Sequence, residues 1–350
     1  MNLRYNTQMK QSPDIYSYTL PKERIAQSPA SPRESAKLML VHRASQTIEH
    51  AHVRDFVDQL RRSDVLVINN TKVFKARLHG VTSKGTRVEL FLVRPSSETG
   101  WVALGKPGKK IHVGDNITVA DDFVATVLHK HDDGTLTVDF NMQSSLVIQH
   151  ANICGEIPIP PYIKKIPTDG SYQTVYASET GSVAAPTAGF HITEGILNAI
   201  REKGITIIEV TLHVGLGTFL PIKSDTIADH HMHSEWVHIS KEAASRITQA
   251  KKNGQRIVAI GTTTVRTLEG VSQRFGGSLQ EYSGEVDIFI TPGYTFTIVD
   301  AILTNFHLPK STLIVLVSAF AGNELITSAY TEALSHNYRF YSFGDAMFIS

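Results

Sequence analysis

The spacing of apolar residues changes twice along the chain. Between residues 76 and 150, short segments alternate apolar and polar positions, and turn sequences such as SKG, KPG and HDDG separate them. Six such segments without a helical stretch between them predict six strands that close into a small β-barrel. The six segments are ARLHGV, TRVELFLVR, WVALG, KKIHVGDNITV, FVATVLHK and TLTVDF.

The flanking regions show a different pattern, in which helical and buried-strand spacings follow one another. HVRDFVDQLRRSD has helical spacing, and TEGILNAIREKG and SKEAASRITQAKKNG are typical of helices that begin at a capping hydroxyl residue and end at glycine. DVLVINN, ITIIEVTLHV and QRIVAIG predict buried strands, and STLIVLVSAFAG predicts a buried strand or helix. This order predicts a layered α/β domain.

The two patterns together predict an α/β fold class with a layered α/β main domain and an inserted small six-stranded β-barrel domain. We expect the main domain to comprise residues 1–74 and 155–350, and the barrel to comprise residues 75–154. A chain of 350 residues is longer than a single hydrophobic core usually supports, which agrees with two domains.

Composition narrows the class of protein. The chain is 41% hydrophobic and 19% charged, as in ordinary folded proteins. No apolar run reaches the roughly 18 to 20 residues of a membrane helix, so we expect no membrane partner. The polar start predicts a loose tail of about a dozen residues without a secretion signal. Cys154 is the single cysteine, which excludes an internal disulfide and a cysteine-based zinc finger. We expect a cytoplasmic protein.

Positive charge is concentrated between residues 61 and 110. This stretch carries eleven Lys and Arg residues against three acidic residues, although the whole chain has a net charge of only +1. Such an excess attracts a polyanion such as a nucleic acid. It is equally consistent with a solvated strand surface whose charge is offset by the acidic residues that follow, so charge alone leaves both interpretations open.

Three loops combine glycine with hydroxyl side chains, namely SVAAPTAGFHIT, HVGLGTF and GTTTVRTLEG. Ligands of open α/β sheets bind beyond the carboxyl ends of the strands, where glycines let the backbone approach them. Tight strand-to-helix turns need glycine in any case, and none of the loops matches a phosphate-binding or dinucleotide motif. The candidate ligand contacts in these loops are Thr187, Gly189, Gly215, Gly217, Thr218, Gly261, Thr262 and Thr263.

The segment DHHMHSEWVHIS contains four histidines and one glutamate. If it forms a strand, His231, His233 and Glu235 lie on one face. A His-x-His pair suits zinc, but no thiolate assists it. The other interpretations are a plain polar strand and a set of acid and base groups facing a substrate. The sequence favours the last of these and predicts no metal.

Longer motifs carry a resemblance that covers the chain from Tyr18 to Ile349. LPKERIAQSP, GEIPIPPYI, SVAAPTAGFHIT, LHVGLGTF, HHMHSE, GTTTVRTLE, DAILTNFHLPKSTLIVLVSAFAG and SFGDAMFI follow one another in unbroken order. Together they resemble the S-adenosylmethionine:tRNA ribosyltransferase-isomerase family of queuosine synthesis. The resemblance implies a monomeric, metal-free transferase with an α/β domain interrupted by a β-barrel. Two rival functions stay open, a non-catalytic RNA-binding protein and a metal-dependent hydrolase that uses the histidine-rich strand.

The resemblance also implies a reaction. S-adenosylmethionine would act as a co-substrate that donates its ribosyl group, without any true cofactor. The acceptor would be 7-aminomethyl-7-deazaguanine at the wobble position of the tRNA anticodon, and the products would be epoxyqueuosine-tRNA, adenine and methionine. This chemistry needs a base beside the sulfonium, an acid for the departing adenine and a neutral amine. The candidates for these roles are His191, His213, His231, His233 and Glu235.

Charged groups complete the expected site. Arg266 or Lys310 would hold the methionine carboxylate, although Lys310 is also consistent with a solvated lysine at a capped helix start. Lys72, Lys75 and Arg77 lie where the chain enters the barrel, which favours tRNA binding in a cleft between the domains over the basic barrel face.

Three positions depart from the family pattern. Leu220 stands where GTFRP has arginine, Asn70 where NDT has aspartate, and Lys37 where an arginine is expected after RESA. The loss of the arginine weakens the expectation that the loop at residue 220 binds an anion.

Overall fold

The computed structural model describes residues 12–160, 162–164, 170–215, 222 and 224–350. The chain divides into two compact units. The main unit comprises Met1–Thr71, Pro161–Glu179 and Ala185–Ser350, and the second unit comprises Lys72–Pro160 and Thr180–Ala184.

The main unit is built on a nine-stranded sheet. In chain order its strands are β1 (Lys37–His42), β2 (Thr47–His52), β3 (Val65–Asn69), β12 (Thr206–Leu212), β13 (Glu235–Ile239), β14 (Ile257–Ile260), β15 (Tyr282–Val286), β16 (Ala301–Asn305) and β17 (Ala346–Ile349). Across the sheet the order is β15-β13-β12-β3-β14-β16-β17-β1-β2. A separate pair is formed by β4 (Thr71–Val73) and β11 (Glu179–Ser182).

The centre of this sheet is parallel. β12 and β14 both run parallel to β3, and β16 runs parallel to β14. All residues of β3, β14 and β16 are buried, and parallel strands covered on both faces have such continuous apolar runs. The carboxyl ends of β3, β12, β14 and β16 therefore meet at one edge of the sheet.

Six α-helices accompany the strands in the described part of the chain. They are α1 (Ser144–Cys154), α2 (Glu194–Glu202), α3 (Lys241–Lys252), α4 (Thr262–Arg274), α5 (Thr312–Ala321) and α6 (Asn323–Ser335). Thr193, Ser240 and Ser311 cap α2, α3 and α5, each accepting a hydrogen bond from a backbone N–H of the first turn. The predicted layered α/β arrangement and its capped helices are confirmed.

The second unit contains a closed barrel of six antiparallel strands, as predicted. Its strands are β5 (Arg77–Thr82), β6 (Arg87–Pro95), β7 (Gly100–Lys106), β8 (Asn116–Ala120), β9 (Phe123–Lys130) and β10 (Thr135–Asp139). They close in the order β10-β7-β6-β5-β8-β9. A Cβ at Gly80 would lie 2.7 Å from Ile117 Cγ2, so glycine allows β5 and β8 to approach there.

Four segments differ from the sequence-based expectation. GTTTVRTLEG is not a loop, because α4 begins at Thr262 and is buried on all sides as far as Ser272. The strand expected over DHHMHSEWVHIS begins only at Glu235. HVRDFVDQLRRSD forms a 3-10 helix over Val53–Gln59. Helix α1, which follows the barrel, was not predicted. Only its residues Val147 and Ala151 are buried, so its sequence shows no clear helical spacing of apolar residues.

Within the described residues, no single helix is both long and apolar enough to cross a membrane. Helices α5 and α6 satisfy that test only as a pair, and the pair is bent by 117°.

Candidate active site

A cavity opens in the main unit at the carboxyl ends of β14 and β16. Its walls come from several parts of the chain, chiefly residues 185–188, 261–263, 304–309 and 341–342. Its volume is ≈ 730 Å³ including the space open to solvent, within the range of small-molecule sites. Loops far apart in sequence thus meet in one place, where an open α/β sheet usually binds its ligand.

A hydrogen-bonded chain of three side chains supports one wall. Asn305, the last residue of β16, donates from Nδ2 to Thr187 Oγ1 at 3.1 Å. Its Oδ1 lies 2.9 Å from His191 Nε2, so His191 donates from Nε2 and keeps Nδ1 unprotonated. Burial lowers the pKa of His191 to about 4. The His191 imidazole is therefore unprotonated at Nδ1 at neutral pH.

His307 follows the same strand and lines the cavity. Its backbone N–H donates to the Tyr330 hydroxyl at 2.9 Å, and its Nε2 lies 3.2 Å from Thr304 Oγ1. Burial lowers the pKa of His307 to about 3. His307 and Asn305 were not among the predicted site residues. The signal that could have found them is the polar end of the apolar strand AILTN, because strand ends carry ligand contacts.

The start of α4 lies in the cavity wall. Gly261 has a φ of +87°, a conformation that glycine adopts without strain, and Thr262 and Thr263 line the cavity after it. Ser311, the capping residue of α5, lines it too. The N–H groups of a helix start favour anionic ligand groups.

Glu235 and Arg266 form a buried ion pair at the same edge of the sheet. Glu235 is the first residue of β13, and its Oε2 accepts from Arg266 Nη1. Its Oε1 accepts from the backbone N–H of Gly215 at 3.1 Å. The two side chains are each at most 5% exposed. The pair therefore links the end of β12, the start of β13 and helix α4.

His213 lies next to this pair. Its backbone N–H donates to Trp236 O at 2.9 Å, and its ring stacks on Trp236 with centroids 4.9 Å apart. Its Nδ1 lies 2.8 Å from Thr71 Oγ1. Burial lowers the pKa of His213 to about 4. His213, Glu235 and α4 are thus gathered at one edge of the sheet.

Three predicted site residues lie elsewhere. His231 and His233 are exposed and precede β13, so they do not share a strand face with Glu235. Lys310 does not line the cavity. Its Nζ lies 2.5 Å from Asp14 Oδ1, so its positive charge is paired with an acidic residue near the start of the chain.

Gly189 was predicted to let a ligand approach the backbone, but the space beside it is filled by Tyr176. A Cβ there would lie 2.1 Å from the Tyr176 hydroxyl oxygen, so a larger residue would collide with that ring. Gly217 and Thr218, together with the departure at Leu220, lie outside the described residues.

The departure at Asn70 fits its surroundings. Asn70 Nδ2 donates to Glu209 Oε2 at 3.0 Å, and its Oδ1 accepts from Thr211 Oγ1 at 2.8 Å. An aspartate could not donate to the Glu209 carboxylate, whereas the amide donates and accepts at once. At the third departure, Lys37 Nζ donates to His336 O at 2.6 Å.

The three predicted tRNA contacts lie in the second unit. Lys72 is exposed on β4, and Lys75 and Arg77 are half-buried. Arg77 Nε lies 4.0 Å from Glu89 Oε1, so its charge is partly offset.

The free energy of unfolding is expected to fall as the pH is lowered from 6.5 towards 4. His191 has a folded-state pKa of about 4 against 6.5 when unfolded, so the unfolded chain binds more protons in this window. The loss from His191 alone is up to about 3 kcal/mol. Urea unfolding across this pH range measures it.

The matched variant is His191→Gln, which removes the titrating group and keeps a hydrogen-bond donor. The slope of its unfolding free energy against pH should be smaller than that of the parent, by an amount that corresponds to the binding of up to one proton. An unchanged slope would show that His191 is not buried neutral.

Comparisons with known proteins cover nearly the whole chain. A family model described as "Queuosine biosynthesis protein" matches residues 14–349. A curated protein of Thermosipho melanesiensis, "S-adenosylmethionine:tRNA ribosyltransferase-isomerase", is 46% identical over 334 residues, which are 95% of this chain and 98% of that protein. A crystal structure of S-adenosylmethionine tRNA ribosyltransferase from Thermotoga maritima matches with a TM-score of 0.57 and 36% identity, over 96% of this chain and 100% of that one.

Proposed function

The chain belongs to the queuosine biosynthesis protein family, and from that premise we propose that it is an S-adenosylmethionine:tRNA ribosyltransferase-isomerase. It transfers and isomerises the ribosyl group of S-adenosylmethionine onto 7-aminomethyl-7-deazaguanine at the tRNA wobble position. Epoxyqueuosine-tRNA is formed, and adenine and methionine leave. S-adenosylmethionine is consumed, so it is a co-substrate and not a cofactor. Neither rival function, the non-catalytic RNA-binding protein or the metal-dependent hydrolase, is favoured.

The observation that carries this proposal is the cavity at the ends of β14 and β16, with neutral buried imidazoles in and beside its wall. Removal of the hydrogen beside the sulfonium needs a base that is unprotonated at neutral pH, as His191 and His307 are. The departing adenine needs a proton, and an imidazole that has accepted one can return it. Burial of the attacking amine in the cavity favours its neutral form.

The remaining groups position the substrate in this proposal. The N–H groups at Thr262 and Thr263, at the start of α4, bind the methionine carboxylate. Arg266 holds Glu235 in place, and Glu235 in turn fixes the backbone at Gly215. The proposal leaves Lys310 out of carboxylate binding, since its Nζ lies 2.5 Å from Asp14 Oδ1.

The test is incubation of the protein with S-adenosylmethionine and tRNA that carries the aminomethyl-deazaguanine precursor. Free adenine should appear in equal amount to modified tRNA, and tRNA with unmodified guanine at the wobble position is the control. Adenine release that does not need the precursor would contradict the proposed acceptor. Modified tRNA without adenine release would contradict the proposed donor.

We also propose that Lys72, Lys75 and Arg77 contact tRNA phosphates. Replacing all three with glutamate should weaken tRNA binding about tenfold or more, because each contact releases bound counterions. The slope of log affinity against log salt concentration should fall by roughly 2 to 3. Filter binding at several salt concentrations measures both quantities.

The matched control makes the same charge change on an exposed helix of the main unit, with Lys241→Glu, Arg246→Glu and Lys252→Glu on α3. Equal losses of affinity in the two variants would mean that net charge, and not these three contacts, binds the tRNA.

We place the protein in the cytoplasm as a monomer. Its single cysteine, Cys154, is free and exposed, which fits a reducing compartment. Sedimentation of the purified protein tests the monomeric state.

A further inference from the structure

Three metal-type donors meet on the main unit, away from the cavity wall. His50 lies on β2, the edge strand of the sheet, and Glu332 lies on α6 with His336 just beyond its end. Glu332 and His336 are four residues apart and therefore share a face of the helix. Among the described residues they form with His50 the one group of three or more His, Cys, Asp or Glu side chains whose donor atoms converge.

The distances between these donor atoms suit a metal ion. Glu332 Oε1 lies 3.3 Å from His50 Nε2 and 3.1 Å from His336 Nδ1, and all three atoms lie within 4.8 Å of one another. Bonds of about 2.0 to 2.1 Å around tetrahedral zinc place neighbouring ligand atoms about 3.3 Å apart. The carboxylate oxygen is thus at the required distance from both imidazoles.

Tyr338 fixes which nitrogen of His50 faces the carboxylate. Its hydroxyl donates to Leu38 O at 3.4 Å, and its oxygen lies 2.8 Å from His50 Nδ1. This contact holds the His50 ring so that Nε2 is the nitrogen that faces Glu332 Oε1.

Several neighbouring contacts limit how the ion is held. His336 Nδ1 also lies 3.1 Å from Glu332 O and 3.0 Å from Ser335 Oγ, and its ring stacks on His50 with centroids 4.4 Å apart. The half-exposed His336 ring must turn to present its lone pair. Lys37 donates to His336 O and lies 5.2 Å from the Tyr338 ring centroid, so its charge weakens the affinity for a cation.

We propose that His50, Glu332 and His336 form a divalent transition-metal site of the zinc type, with water completing the coordination. Two imidazoles and one carboxylate favour borderline ions such as Zn²⁺ over Mg²⁺ or Ca²⁺, which take oxygen ligands. The bound ion ties the last turn of α6 to the edge strand β2. The site stabilises the fold and takes no part in ribosyl transfer, so its test is independent of the proposed activity.

The test is titration of the metal-free protein with ZnCl₂ by calorimetry. The double variant His50→Gln/His336→Gln should lose one equivalent of bound Zn²⁺ relative to the parent. The matched control His129→Gln/His131→Gln removes a pair of neighbouring barrel histidines and should keep that equivalent. MgCl₂ should give no binding at this site in any of the three proteins.

Two further variants sharpen the result. Glu332→Gln should lose the same equivalent, and Tyr338→Phe should weaken it about tenfold, because the group that orients His50 is gone. A hundredfold excess of Zn²⁺ over Kd should raise the Tm of the parent by roughly 4 to 5 °C and leave that of the double variant unchanged. If the double variant keeps every equivalent, or the parent binds none, the site does not exist and the three side chains only form hydrogen bonds with one another.

Discussion

Glu235→Gln is expected to lower the rate of adenine release at least about a hundredfold, because the backbone at Gly215 loses the carboxylate that positions it. The same change should destabilise the main unit by about 3 to 5 kcal/mol. Arg266 is 4% exposed, and its Nε and Nη2 have no hydrogen-bond partner within the described part of the chain. Removing the carboxylate charge therefore leaves a buried guanidinium without its counter-charge. Adenine release and urea unfolding measure the two effects separately.

The double variant Glu235→Met/Arg266→Met separates catalysis from stability. Replacing both charges with apolar side chains removes the unpaired guanidinium, so most of the lost stability should return. Turnover should stay low, while the affinity for S-adenosylmethionine should change far less than turnover in the single variant. If Glu235→Gln keeps the parent's turnover, Glu235 has no role in the reaction.

Glu269→Gln is expected to lower the free energy of unfolding by about 4 kcal/mol and Tm by roughly 5 to 8 °C. Glu269 lies on α4, is fully buried, and holds the segment that leads into β16. Its Oε1 accepts from the N–H groups of Ile298 and Val299, and its Oε2 accepts from Thr297 and Tyr294, all at 2.9 to 3.0 Å. A glutamine turns one oxygen into an amide that donates towards these donors.

Glu281→Gln is the matched control, because that side chain is exposed and the change of charge is the same. Its Tm should stay within about 1 °C of the parent. An equally small effect of Glu269→Gln would mean that neutral hydrogen bonds hold the segment as well as charged ones do.

The β-barrel could be predicted from the sequence, whereas helix α4, which carries Arg266, could not. The barrel strands alternate between an inward and an outward face, so their period appears in the sequence, and six closed strands are found where six were expected. Helix α4 is buried from Thr262 to Ser272, on every face. A helix without a solvent face has no amphipathic contrast, and its run of threonines is typical of a loop.

The site could be predicted only in part, because its residues are paired across long stretches of chain. Polar turns after β12 and β14 indicated the correct edge of the sheet. The contact between His191 and Asn305 joins residues 114 positions apart, and no local pattern reports it. The exposure of His231 and His233 depends on where β13 begins, which is set by its pairing with β15. The residue pattern before Glu235 does not show where the strand begins.

The position of β17 in the sheet constrains when the sheet can fold during synthesis of the chain. This strand follows all other described strands in the chain, yet it lies between β16 and β1 in the sheet. The hairpin of β1 and β2 leaves the ribosome first and has no sheet partner until β17 emerges. The sheet therefore cannot be completed until the last strand of the chain has been made, and the open edge of β1 is available for wrong pairing until then.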